Sequence, residues 1–89
     1  LLIGLFAHLS TFIFVTRAEE QILKDFGKRL RSIRLRKNFT QEKLAFTIGM
    51  EISQISRIER GIINTSLLNI IKIAETLEVL PGELFGERT

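Results

Sequence analysis

Eighty-nine residues suffice for one small domain, and 45% apolar residues supply its core, although burial at this size is modest and a second copy would add stability. The chain has no cysteine and a single histidine, which excludes disulfides and thiolate metal sites. Its net charge of +3 is unevenly spread: residues 1–16 carry none, residues 17–60 carry eleven basic against six acidic side chains, and residues 61–89 carry two against four.

Residues 1–16, LLIGLFAHLSTFIFVT, differ in composition from the rest. The stretch is shorter than the roughly 20 apolar residues a membrane-spanning helix needs, and it lacks the basic start and cleavage site of a signal peptide. Four readings stay open: the tail of a membrane anchor, an arm packing on the domain or on a second subunit, upstream sequence included by a wrong start site, or a remnant of cloning. Phe12 to Val15 suits a short β-strand, which would have to be buried between chains.

Thr16-Arg17-Ala18-Glu19 has the form of a capping box and predicts a helix from there to about Lys37, with Ile22, Phe26, Leu30 and Ile33 on its inner face. The run Lys28, Arg29, Arg31, Arg34, Arg36 and Lys37 contains no carboxylate, a field that attracts phosphate or else a solvated helix face. Asn38 and Phe39 end the helix.

Thr40 to Gly61, TQEKLAFTIGMEISQISRIERG, is the most informative stretch. Thr40 offers a hydroxyl cap to a short helix whose Leu44, Ala45 and Ile48 share a face, and Gly49 closes it where a left-handed residue costs nothing. Ile52, Ile55 and Ile58 then recur every three residues, leaving Ser53, Gln54, Ser56, Arg57 and Arg60 on the rest of a second helix that Gly61 stops. Two short helices around a tight turn form a helix-turn-helix, whose second member is narrow enough for a DNA major groove. Asn64 turns the next loop, Thr65 or Ser66 caps a helix over 67–78, and Pro81 opens a last short helix ending near Phe85. The helix over 67–78 is apolar around more than half its circumference; Leu68 and Ile71 are either surplus core or a dimer interface.

Leu30 to Phe85 resembles the Cro/phage-repressor (Xre-type) helix-turn-helix domains, a group that includes restriction-modification controller proteins and small bacterial regulators. The resemblance rests on Leu30-Arg31 with Arg34, Thr40-Gln41-x-x-Leu44-Ala45, Gly49-Met50, Ile55-Ser56-Arg57-Ile58-Glu59-Arg60-Gly61, and Ile70, Ile73-Ala74, Leu77 and Leu84. It implies an all-α, five-helix lambda-repressor-like domain over residues 17–89, with residues 1–16 as an apolar arm of unknown structure. It further implies base contacts by Ile52, Ser53, Ser56 and Arg57, phosphate contacts by Asn38, Gln41, Lys43, Gln54, Arg60 and Asn64, and an internal salt bridge between Arg34 and Glu59. Gln41 would also brace the recognition helix. Glu51 departs from the family, which usually has Ser or Thr there to cap that helix, and Ile52 is apolar where polar residues are common.

The implied function is a non-catalytic, sequence-specific transcription regulator, a homodimer on double-stranded palindromic DNA in the cytoplasm, associated with the nucleoid. The alternative is a protein-interaction module, either the antitoxin of a toxin–antitoxin pair or a membrane-tethered regulator; a membrane partner is the less favoured. No catalytic residue, cofactor or metal is expected, since His8 is isolated in the arm and Glu75, Glu78, Glu83 and Glu87 are scattered at solvated spacing.

Overall fold

The computed structural model describes residues 2–86; the side chains of residues 1–16, His8 among them, and residues 87–89 lie outside the described residues. Five helices follow one another: α1 (Leu2–Arg36), α2 (Gln41–Ile48), α3 (Ile52–Glu59), α4 (Leu67–Leu77) and α5 (Pro81–Leu84).

Short local signals set these boundaries. The Thr40 hydroxyl accepts the Lys43 amide at 3.0 Å to open α2, and the Ser66 hydroxyl accepts the Asn69 amide at 3.2 Å to open α4. Four helices end alike, on a left-handed residue followed by an amide that reaches back five residues: Asn38 with Phe39, Gly49 with Met50, Gly61 with Ile62, and Glu78 with Val79. After α1, α2 and α4 the residue past the left-handed position is apolar, and Phe39, Met50 and Val79 pack against the core. Those three helix ends are thereby tied to the interior, whereas Ile62 after α3 is exposed.

The core collects Phe26, Leu30 and Ile33 from α1, Leu44 and Ala45 from α2, Ile55 and Ile58 from α3, Ile73, Ala74 and Leu77 from α4, and Leu84 from α5. α3 packs against α1 and α2, α4 against α2 and α5, and the Phe26 ring lies 5.4 Å from that of Phe85. Gly27 lets the α1 and α3 backbones approach closely: a Cβ there would stand 2.4 Å from the Glu59 carbonyl oxygen and 2.5 Å from that of Ile58.

Three expectations are corrected here. α1 does not begin at Thr16; its backbone is helical from Leu2 through Arg36, so Thr16-Arg17-Ala18-Glu19 lies inside the helix and opens nothing. A capping box caps only where the chain enters a helix from outside it. Phe12 to Val15 is helical as well, which pairs its backbone groups within the segment, whereas a lone strand would leave them unpaired. Ile22, expected on the inner face, is 62% exposed. It lies one turn beyond Phe26, and α3 ends beside Lys24 and Gly27, where the core runs out.

Candidate nucleic-acid interface

The interface is built on α3. Its inward side, Ile55, Ile58 and Glu59, is buried, so 3.6-residue periodicity turns Ile52, Ser53, Gln54, Arg57 and Arg60 outward as exposed residues, with Ser56 half-buried between them. The outward surface is therefore one cationic and hydroxyl-bearing strip with one apolar residue, Ile52, at its N-terminal end. Arg60 folds its Nε back on the Ser56 carbonyl at 3.3 Å.

A buried polar cluster fixes the angle of this helix. Arg34 on α1 donates from Nε to Glu59 Oε2 at 2.5 Å and from Nη2 to Oε1 at 3.0 Å, a bidentate pair with both partners buried. Its Nη1 donates to the Phe39 carbonyl at 2.8 Å, which ties the α1–α2 turn to the same guanidinium. Gln41, the first residue of α2, donates from Nε2 to Glu59 Oε1 at 2.9 Å. The Glu59 carboxylate thus accepts three hydrogen bonds, and no buried side-chain polar atom among the described residues lacks a partner. Arg34 neutralises Glu59, so the second N–H of the Gln41 amide is left directed by a fixed partner and not opposed by a bare charge.

Around the N terminus of α2, Asn38 and Lys43 are exposed and Gln41 is half-buried. The Lys43 ammonium stands 4.7 Å from the centre of the Phe39 ring, a cation–π contact that holds it beside the turn. Asn64 is exposed in the loop after α3. Asn38, Lys43, Ile52, Ser53, Gln54, Arg57, Arg60 and Asn64 are thus all exposed, Gln41 and Ser56 are half-buried, and Leu68 and Ile71 belong to α4.

Sequence reading missed three participants: Phe39 as the platform under Lys43, the Phe39 carbonyl as a partner of Arg34, and Gly27 as the seat of α3. The four-residue spacing of Phe39 and Lys43 was the available signal for the first, and a glycine inside a helical pattern the signal for the last. Among the described residues no group of histidine, cysteine and carboxylate side chains is arranged to hold a metal.

The chain is similar in sequence and fold to known proteins. The helix-turn-helix family model (HTH_3) matches residues 30–84. Control protein C.BamHI of Bacillus amyloliquefaciens is 52% identical over 65 residues, 72% of this chain and 80% of that protein. Control protein C.MunI of Mycoplasma sp is 36% identical over 63 residues, 70% of this chain and 85% of that protein. The crystal structure of the restriction-modification controller protein C.AhdI from Aeromonas hydrophila superposes with a TM-score of 0.69 at 48% identity, covering 71% of this chain and 96% of that one. These relatives are regulators and not enzymes, and the chain belongs to the Xre-type helix-turn-helix family of DNA-binding transcription regulators.

Proposed function

We propose that the protein is a controller of a restriction-modification system, acting in the cytoplasm as a homodimer on a palindromic operator. The observation that carries this reading is the exposed strip of α3 held at a fixed angle by the Arg34–Glu59–Gln41 cluster, in a chain similar to control proteins along most of their length. Two copies related by a two-fold axis would present their α3 helices to successive major grooves about 34 Å apart. Among the described residues no helix is long and apolar enough to cross a membrane.

In this reading Arg57 reads a guanine through two parallel donors, with Ile52, Ser53 and Ser56 against neighbouring base edges. Asn38, Gln41, Lys43, Gln54, Arg60 and Asn64 hold phosphates on either side, and Leu68 with Ile71 joins the two copies.

Selection of bound duplexes from a random pool tests the proposal, with a palindrome as the expected product. Arg57→Ala should relax one symmetric pair of positions, at about 1–3 kcal/mol of lost discrimination. Lys43→Ala should weaken all duplexes alike and flatten the slope of log K against log salt by about 0.9 per protomer. Recovery of no preferred sequence at physiological salt would refute the reading.

A further inference from the structure

The residue that opens α3 does so through its backbone alone: the Glu51 carbonyl accepts the amides of Gln54 at 3.0 Å and Ile55 at 3.4 Å. Glu51 stands at the N-cap with extended backbone (φ −74°, ψ 143°), yet its side chain makes no capping hydrogen bond, unlike Thr40 before α2 and Ser66 before α4. It is exposed, and it precedes Ile52, which is 49% exposed at the leading end of the strip. Of the helices of eight residues or more after α1, α3 alone begins without a side-chain cap, and it carries an acceptor-only group at that position instead.

We propose that Glu51 is a specificity-determining residue that accepts a hydrogen bond from the N4 amino group of a cytosine in the operator. This rests on the reading of α3 as the helix in the major groove. A carboxylate offers acceptors alone. On the major-groove edge guanine presents N7 and O6 and thymine presents O4, acceptors that repel it. Adenine presents the N6 donor beside the N7 acceptor, so one carboxylate oxygen gains what the other loses. Cytosine presents the N4 donor with only the C5–H on its own outer side, the guanine O6 lying across the pair, so there the charge is compensated with the least repulsion. Ile52 sharpens the choice by covering the adjacent edge with apolar surface, which removes the water that would otherwise soften a mismatch.

Glu51 precedes Arg57 by six residues, about 9 Å of helix rise. The two residues stand at opposite ends of α3, so the Glu51-dependent cytosine lies at a different base pair from the guanine whose selection depends on Arg57.

The test uses the full chain and a panel of duplexes in which each half-site position carries all four bases, titrated with wild type, Glu51→Ala, Glu51→Ser and Arg57→Ala. Serine restores a capping hydroxyl, so that variant keeps α3 formed. Wild type should prefer cytosine over guanine or thymine by about tenfold at one symmetric position, the two Glu51 variants should lose that preference, and Arg57→Ala should keep it. Retention of the cytosine preference by Glu51→Ser overturns the proposal, as does equal tightening on every duplex, which is simple relief of repulsion from phosphate. Loss of selectivity at all positions in wild type, the Arg57-dependent one included, would instead overturn the reading of α3 on which the proposal rests.

Discussion

Glu59 couples the stability of the domain to the role proposed for Gln41. It accepts two hydrogen bonds from Arg34 and one from Gln41, and it is buried. Glu59→Ala leaves the Arg34 guanidinium buried without its counter-charge and releases the Gln41 amide, so it should cost about 3–5 kcal/mol, a large part of the total stability of a domain this small. Replacing Arg34 and Glu59 together by Met removes both charges and, on the behaviour of such pairs elsewhere, returns stability to within about 2 kcal/mol of wild type. DNA affinity should not return with it, because Gln41 has lost the partner that directs its amide. Urea unfolding and a duplex titration on the same samples separate the two effects. Recovery of both stability and affinity in the double variant would show that Gln41 needs no alignment. The resemblance to known domains made the Arg34–Glu59 pair legible in sequence; the convergence of Gln41 and the Phe39 carbonyl on that pair was not, because four segments meet there and none carries a local sign of the others.

At the scale of the helices, boundaries were legible wherever a residue type has one dominant backbone use. Thr40 and Ser66 open helices and Gly49 and Gly61 close them, as their chemistry requires. The Thr16 capping box misled for a related reason: the same four residues are compatible with a helix interior, and only what precedes them decides. Helix packing was less legible, and the glycines show why. Gly49 has φ +70° and open space where a Cβ would be, so Gly49→Ala costs only the left-handed backbone, about 1–2 kcal/mol. Gly27 sits in ordinary helix, where alanine is favoured by about 1 kcal/mol, yet its Cβ would collide with two backbone carbonyls of α3. Backbone cannot swing aside as a side chain does, so Gly27→Ala should push α1 from α3 and cost a net 1–3 kcal/mol, about the overpacking penalty. Thermal unfolding checks both variants, and a Gly27→Ala protein as stable as wild type would mean that α1 slides on α3 without loss. A sequence pattern ranks these two substitutions the other way round, because the contact that matters is between backbones and leaves no side-chain periodicity.

For the molecule as a whole, the question is what covers α4. Ile73, Ala74 and Leu77 face the core, while Leu67 and Leu68 are each 70% exposed and Ile71, one turn on, is half-buried. These three are neighbours on a helix surface and form one apolar stripe. If the stripe joins two copies, Leu68→Glu places two like charges at the centre of the interface and should yield monomers at micromolar concentration in analytical ultracentrifugation. The monomer should unfold no more easily per chain than the reference at concentrations where both are monomeric, since an exposed residue adds little to the protomer's own core. Operator affinity should fall by about 10²–10⁴-fold, the loss expected when two half-sites are no longer bound by one linked pair, while the base preferences set by α3 persist. Phe46→Glu supplies the control: Phe46 is 87% exposed on α2, and removing its ring should leave the dimer intact. Should Leu68→Glu remain dimeric, the joining surface must lie elsewhere, and the half-site spacing recovered by duplex selection would then have to be explained by a different relation of the two α3 helices, since moving the two-fold axis off α4 changes the distance between them.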